Sequence, residues 1–217
     1  TITVSNNIRL TGNSDVIAAA VADVNTFSGT PTATLGDAHT LAELVAINNK
    51  LSGQLTLNDV TVALTGSAAD IKAALAGSFA ATYTGNVVIN DADTTGIAAT
   101  DITAIEAATN GTVTVSNNIN LTGTSAEIAA AVADVNTFSG TPTATLGDAH
   151  TLAELKAINN ALSGTLTLND VTVALTGSTA DVKAALAGTF AAGYTGNVVL
   201  NDANTISIAA ADITTIE

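Results

Sequence analysis

Acidic residues recur at one position of a repeated turn, and their carboxylates are the groups in this chain best suited to bind a metal. Each follows an Asn or a Gly at the end of an apolar segment. The six acidic positions are Asp37, Asp59, Asp91, Asp148, Asp170 and Asp202, and two equivalent positions hold Asn7 and Asn118. The preceding residues form a second column: Asn6, Gly36, Asn58, Asn90, Asn117, Gly147, Asn169 and Asn201.

These corner columns have two interpretations. Ca²⁺ takes six to eight oxygen ligands, and carboxylates with turn carbonyls could supply them. Alternatively, stacked Asn and Asp side chains satisfy backbone groups in the turns and tolerate the left-handed backbone that turns need. We favour the structural interpretation, because the chain has neither the glycine-rich calcium nonapeptide nor an EF-hand loop. We expect no cofactor, with calcium at the six aspartates as the alternative.

Threonine forms another column, on the strand face opposite the predicted core. Its members are Thr3, Thr34, Thr56, Val88, Thr114, Thr145, Thr167 and Val199. Several strands read Thr-x-Thr, which resembles flat ice-binding surfaces, and a hydroxyl-rich face could also adsorb carbohydrate. Exposed threonine is equally what β-propensity alone favours, and the two valines interrupt the column.

The sequence gives no support for catalysis. Its two histidines, His39 and His150, are one per repeat and are predicted to lie far apart, so we interpret them as turn residues. The chain contains no G-x-S-x-G elbow, phosphate loop or cysteine. Its few aromatic residues follow predicted helices and are expected to fill gaps between repeats. The prediction is a protein that is not an enzyme.

Composition excludes some partners. The 217 residues include 19 acidic and only 5 basic side chains, for a formal charge of −14. Nucleic acid and anionic membrane surfaces require a basic patch, so neither is an expected partner. The longest apolar run, residues 16–22, is too short to cross a membrane.

The chain is an internal duplication. Residues 1–106 align without a gap on residues 112–217, and 18 of the pairs differ. We assign residues 1–111 to the first copy and residues 112–217 to the second. Within each copy a weaker repeat defines four shorter segments, so the sequence predicts about eight coils.

Each coil has the same predicted parts: one or two alternating strands, a polar corner, and a short Ala-rich helix. Thr40 with Glu43, and Ser67 with Asp70, have the spacing of helix N-terminal caps. Glycines are placed where the helices should stop, at Gly53, Gly77, Gly164 and Gly188. A segment this small cannot bury its own apolar face, so neighbours must stack. We predict one continuous α/β solenoid with a parallel sheet, helices on another face and right-handed coils.

Neither end of this sequence has a recognisable polar cap. We expect a piece of a longer array whose open ends associate head to tail.

One run of each copy resembles known repeats. In the second copy it is residues 151–188, TLAELKAINNALSGTLTLNDVTVALTGSTADVKAALAG. They resemble repeats of giant bacterial cell-surface and secreted proteins, notably from marine cyanobacteria, including a swimming-motility surface protein. The resemblance covers essentially the whole chain and implies an extracellular or cell-surface array. Such proteins are often grouped with calcium-binding hemolysin-type proteins, but the calcium nonapeptide of that group is missing here.

The predicted function is therefore a structural spacer within a large surface protein. The alternatives are a binding module, using the aspartate or threonine columns, and an engineered consensus-repeat scaffold.

Overall fold

The computed structural model describes all residues, Thr1–Glu217. The chain divides into two compact units. Unit 1 contains Thr1–Asp91 and Ala104–Val115, and unit 2 contains Ala92–Thr103 and Ser116–Glu217. Residues 92–103 of the first sequence copy thus group with the second.

Eight short helices alternate with short strands. The helices are α1 (Ser14–Asp23), α2 (Leu41–Asn48), α3 (Ala68–Leu75), α4 (Ala99–Ala108), α5 (Ser125–Asp134), α6 (Leu152–Ala161), α7 (Thr179–Leu186) and α8 (Ala210–Ile216). The strands of the first half are β1 (Thr3–Val4), β2 (Arg9–Gly12), β3 (Thr26–Phe27), β4 (Thr32–Leu35), β5 (Leu55–Thr56), β6 (Leu64–Gly66), β7 (Val87–Ile89) and β8 (Gly96–Ala98). Those of the second half are β9 (Val113–Val115), β10 (Asn120–Gly123), β11 (Thr137–Phe138), β12 (Thr143–Leu146), β13 (Thr165–Thr167), β14 (Leu175–Gly177), β15 (Thr189–Phe190) and β16 (Val198–Leu200).

Local sequence explains where most helices begin. The predicted capping box of α2 is confirmed, since the Thr40 side chain accepts from the Glu43 N–H and the Glu43 side chain accepts from the Thr40 N–H. Ser67 likewise caps α3 by accepting from the Asp70 N–H. Helix α1 is different, because its N-cap Asn13 makes no side-chain capping bond. In its first turn the Val16 N–H donates to Asp15 Oδ1 instead, and α8 likewise has no side-chain capping bond at its N-cap Ala209.

All strand pairs within unit 1 are parallel. Strand β4 lies between β2 and β5, with Leu10 opposite Ala33 and Ala33 opposite Leu55. Strand β7 lies between β6 and β9, with Val87 opposite both Leu64 and Val113. Strands β1 and β3 form a third, two-stranded pair.

Unit 2 has the same parallel arrangement. One sheet runs in the order β15, β13, β12, β10, β8, and β14 pairs with β16. Its central register places Leu121 opposite both Ala144 and Ile97. Parallel strands of this kind require crossover connections, and here the helices supply them.

Aliphatic side chains from strands and helices form the cores. The predicted buried face of α2 is confirmed, because Leu44 and Ile47 are fully buried, as is Ile71 of α3. The strands contribute Leu55 and Leu121, also fully buried. Alternate residues of each strand face the core, which gives the period-two pattern its physical basis.

The four glycines placed after helices have a different role from the one predicted. None of them adopts a positive φ, so they are not left-handed helix caps. A Cβ on Gly53 would lie 2.3 Å from the Pro31 carbonyl oxygen, and one on Gly77 would lie 2.1 Å from Asn48 Oδ1. Gly164 and Gly188 meet the equivalent atoms in the second copy. Close approach therefore requires glycine here, by neighbouring backbone at Gly53 and Gly164 and by an asparagine side chain at Gly77 and Gly188.

No helix is both long enough and apolar enough to cross a membrane. The architecture is an α/β fold of parallel sheets and short helices, repeated along the chain.

Candidate functional site

Four of the six corner aspartates bind the start of a helix. Each accepts a hydrogen bond from the backbone N–H of the first helical residue of the preceding helix, 23 positions earlier in the chain. The bonds run from Ser14 to Asp37 (2.7 Å), Ala68 to Asp91 (2.7 Å), Ser125 to Asp148 (2.6 Å) and Thr179 to Asp202 (3.0 Å). These N–H groups have no partner inside their own helix, and a carboxylate at this end is favourable to the helix dipole. Each aspartate therefore joins its corner to the preceding helix.

The fourth of these bonds is strengthened by a hydroxyl. Thr179 Oγ1 also donates to Asp202, at 2.6 Å. The Thr179 hydroxyl, followed by its backbone N–H, lowers the pKa of Asp202. The equivalent residue in the first copy is Ala68, which offers only its backbone N–H.

The remaining two corner aspartates close their own turns. Asp59 Oδ1 accepts from the Thr61 N–H at 2.8 Å and from Thr61 Oγ1 at 2.7 Å. Asp170 makes the same two bonds with Thr172. The hydroxyl bond first, and then the backbone bond, hold the pKa of each carboxyl below its usual value. This is the Asx-turn arrangement that short polar side chains favour in loops.

The structure does not bring the six aspartates together. No group of three or more His, Asp or Glu side chains is placed to hold a metal ion. Each carboxylate instead lies at its own corner and accepts from a backbone N–H. The oxygens that a calcium site would have to collect are therefore spread along the chain.

The register of the threonine surface matches the predicted column only in part. Thr34 lies between Thr11 and Thr56, and Thr3 is opposite Thr26. The prediction that Thr3 and Thr34 are neighbours in one column is wrong. The reason is that β2, the second strand of its coil, pairs with β4, which places Thr11 instead of Thr3 beside Thr34. Other consecutive members of the predicted column are paired: Thr34 with Thr56, Val88 with Thr114, and Thr145 with Thr167.

In unit 2 the same face forms a shallow groove. It is lined by Thr94, Asn118, Asn120, Thr141, Thr143, Thr145, Thr165 and Thr167. Thr122, Thr145 and Thr167 are in register on adjacent strands. Asn120 Nδ2 donates to Thr145 Oγ1 at 3.2 Å, and Asn120 Oδ1 accepts from Thr143 Oγ1 at 3.1 Å. The result is a surface of uncharged hydroxyl and amide groups.

In unit 1 the equivalent surface is interrupted by residues that carry no hydroxyl group. Arg9 replaces Asn120 there, and its Nε donates to Thr34 Oγ1 at 3.0 Å. Gln54 stands where the second copy has Thr165. The uniform hydroxyl surface is thus a property of unit 2.

Each histidine is buried against a tyrosine 44 residues later. His39 Nε2 is 3.1 Å from Tyr83 Oη, and Tyr83 Oη donates to the Val62 carbonyl oxygen at 2.6 Å. Because the tyrosine has a single proton and gives it to Val62, its oxygen accepts from His39, and Nε2 carries the ring proton. His150, Tyr194 and Val173 repeat the arrangement, with distances of 3.0 and 2.6 Å.

The other ring nitrogen of each histidine is isolated. His39 Nδ1 and His150 Nδ1 are buried and have no hydrogen-bond partner. A protonated ring would place a second N–H at that atom with no acceptor. Burial lowers the pKa of both histidines, and nearby carboxylates, Asp59 and Asp170 foremost, raise it by less.

The tyrosines are held protonated by the same burial. Burial raises the pKa of Tyr83, and it raises the pKa of Tyr194 to about 12. Tyr83 is only 1 % exposed, whereas Tyr194 is half-buried. At neutral pH the imidazole and the phenol are therefore both uncharged and hydrogen-bonded to each other. Such a pair is suited to packing and not to proton transfer.

Sequence reasoning missed this pairing. It predicted the histidines in turns and the aromatic side chains in gaps between coils, but it did not predict that the two would be hydrogen-bonded to each other. The sequence held no specific signal for it, because the copies align without a gap and almost every residue pair recurs at its own separation.

Comparison with protein-family models, with curated proteins and with solved structures gave no match. The resemblance to bacterial surface repeats stays a prediction from the sequence.

Proposed function

We propose that this chain is a structural spacer, a repeat segment of a large extracellular or cell-surface protein that carries out no catalysis. Its strand and helix coils stack into one solenoid of about eight coils. The observation that carries the proposal is that its polar side chains link neighbouring coils. Four corner carboxylates each accept a hydrogen bond from the first N–H of a helix that begins 23 residues earlier. Groups that could have bound a metal or taken part in catalysis therefore join neighbouring coils.

Repetition of the same contacts supports this assignment. The His39–Tyr83 pair recurs as His150–Tyr194, and the Asp37–Ser14 bond recurs as Asp148–Ser125. A site for one substrate needs one special arrangement, whereas a spacer needs each coil to hold the next. The surface location rests on the resemblance carried by residues 151–188.

The first test is a copy-number series. Chains with one and two further 111-residue copies appended should unfold at progressively higher urea concentrations, because each added coil contributes another interface. A chain extended by a shuffled copy of the same composition is the control. An unfolding midpoint that does not change with copy number would contradict the proposal.

A calcium titration separates the spacer from a calcium-binding module. The spacer predicts the same thermal midpoint in EDTA and in millimolar CaCl₂. A ligand that binds only the folded chain adds about 2.7 kcal/mol at a hundredfold excess over its dissociation constant, which is easily measured. A rise that is lost in Asp59→Ala/Asp170→Ala but kept in Asp15→Ala would replace the spacer with a calcium module. Asp15 is the matched control because the second copy already has Ala126 there.

The threonine groove of unit 2 favours a second candidate function, adsorption to an ordered hydroxylated surface such as ice or a crystalline polysaccharide. Its strands repeat at about 4.8 Å, a fixed spacing of hydroxyl groups. Adsorption should fall in Thr145→Leu and be unchanged in Thr34→Leu, whose surroundings include Arg9. Measurements of ice recrystallisation and of binding to insoluble polysaccharide test it, and equal loss in both variants would contradict it.

A further inference from the structure

Helices α2 and α3 of unit 1 border a groove that has a single acidic side chain. The α2–α3 groove has a volume of about 340 Å³ and is lined by Leu41, Ala42, Val45 and Asp70. Leu41 packs tightly on the strand before α3, because a Cβ on Gly66 would lie 2.3 Å from Leu41 Cδ2. The other lining side chains are apolar, so the Asp70 carboxylate is the only charged group among them.

In the second copy a lysine of the chain itself occupies the equivalent place. Lys156 stands where the first copy has Val45, and the other lining residues are identical in the two copies. Lys156 of α6 places its Nζ 2.5 Å from Asp181 Oδ1 of α7. Ser178 Oγ donates to the other carboxylate oxygen, Asp181 Oδ2, at 2.7 Å. The Lys156 bond, followed by the Ser178 bond, holds the pKa of Asp181 below its usual value.

The carboxylate of the first copy uses only one of these two oxygens. Ser67 Oγ donates to Asp70 Oδ2 at 2.8 Å, as Ser178 does to Asp181. Asp70 Oδ1, the equivalent of the oxygen that binds Lys156, has no hydrogen-bond or ion-pair partner. The serine thus orients the carboxylate and leaves one oxygen open to a cation.

We propose that the α2–α3 groove binds a lysine side chain of a basic partner protein, with the ammonium group at Asp70 Oδ1. The methylene stem lies against Leu41 and Val45, because lysine buries its stem along apolar surface and keeps its charge at the edge. The bound side chain makes the contact that Lys156 makes to Asp181 within the chain. This inference goes beyond the proposed function, since a spacer needs no partner at this surface.

A single open oxygen favours lysine over arginine. Arginine gains most from a bidentate contact, in which two N–H groups bind both oxygens of a carboxylate. Asp70 Oδ2 already accepts from Ser67, so a guanidinium group would have to displace or share that hydroxyl. An ammonium group is a compact charge and needs only one oxygen.

The charge of the whole chain favours a basic partner. Its formal charge is −14, from 19 acidic and 5 basic side chains, so cationic molecules are attracted from a distance. That attraction is not specific to one place on the surface. Binding in the α2–α3 groove must therefore be distinguished from it by position and by the number of sites.

The test is an NMR titration of the full ¹⁵N-labelled chain with a blocked alanine peptide that carries one lysine, at low ionic strength. An exposed ion pair is weak, so we expect a dissociation constant in the millimolar range. In the wild-type chain the backbone amides of Ala42, Val45 and Asp70 should shift saturably, whereas those of Ala153 and Asp181 should not. The same peptide with arginine in place of lysine should bind at least about threefold more weakly.

Exchanging residues between the copies changes the number of sites. Val45→Lys gives the first copy the residue that occupies the second, so the shifts in α2 and α3 should disappear. Lys156→Val opens the second copy, so Ala153 and Asp181 should then shift as well, and the chain should bind two peptides. Each substitution introduces a residue that the other copy already has at that position, so both are compatible with the fold.

Two controls separate the groove from net charge. Ala161→Lys makes the same charge change as Val45→Lys, matches Lys50 of the first copy, and should leave binding unchanged. Asp70→Asn should weaken binding about three- to fivefold, the effect of losing an exposed ion pair. Asp15→Asn removes the same charge from α1 and should not weaken it.

Several results would overturn the proposal. One is a wild-type chain whose α2 and α3 amides do not shift at millimolar peptide. Others are Val45→Lys binding as well as Ala161→Lys, or Lys156→Val gaining no second site. Equal binding of the arginine peptide would overturn the assignment to lysine. The copy-number series measures the spacer separately, so the proposed function and this binding site can fail independently.

Discussion

Replacing Tyr83 by Phe tests whether the buried histidine–tyrosine bonds hold each unit together. The substitution keeps the ring and removes only the hydroxyl, which accepts from His39 Nε2 and donates to the Val62 carbonyl at 2.6 Å. Both partners then lose their bond, and an unsatisfied buried polar group costs roughly 1–3 kcal/mol. We expect Tyr83→Phe to lower the free energy of unfolding by about 2–4 kcal/mol.

The second copy supplies the matched comparison. Tyr194 makes the same two bonds, but its ring is half-buried, whereas Tyr83 is 1 % exposed. Water can reach the partners that Tyr194→Phe leaves behind, so we expect a loss of only about 1–2 kcal/mol.

Urea denaturation followed by far-UV circular dichroism measures both free energies. The chain has no tryptophan and two tyrosines, so each variant retains a single tyrosine whose fluorescence reports the unit that was not altered. A loss below about 0.5 kcal/mol for Tyr83→Phe, within the range of neutral surface changes, would refute the reasoning. So would an equal or larger loss for Tyr194→Phe.

Three further outcomes are expected. Asn13→Thr/Val16→Glu should raise the free energy of unfolding by about 1 kcal/mol, because it copies the capping box of α5 into α1, and the reverse change in α5 should lose a similar amount. Between pH 7 and pH 5 stability should fall, since the folded pKa of His39 and His150 lies below the unfolded value of about 6.5 and the unfolded chain takes up protons first. The slope is at most about 1.4 kcal/mol per pH unit for each histidine, and His39→Gln/His150→Gln should flatten it in urea titrations at each pH. Gly53→Ala should destabilise the chain, because the added methyl meets the Pro31 carbonyl oxygen, whereas Gly193→Ala meets nothing within 4 Å and is the control.

Local features were accessible from the sequence because their partners lie within one helical turn. The Thr40–Glu43 capping box and the buried helix face containing Leu44 and Ile47 depend on residues three or four positions apart. The duplication fixed a further expectation, that any contact in one copy recurs in the other. The Asp37 and Asp148 bonds to helix starts follow that rule.

Contacts between coils were less accessible. The aspartate columns were visible as columns, but the sequence did not reveal that Asp37 binds a helix start while Asp59 closes its own turn. The difference depends on which backbone N–H groups the preceding coil presents at each corner. Those groups become neighbours only after the strands have paired.

The sequence by itself determined the repeat, the alternation of strands with short helices, and the helix caps, because these follow from composition, periodicity and spacing within a few residues. Tertiary structure alone decided the strand register, which places Thr34 between Thr11 and Thr56, and the pairing of His39 with Tyr83. Register depends on how two strands per coil interleave in one sheet, and the buried pair depends on what lies across the core. Neither is encoded in the residues adjacent along the chain.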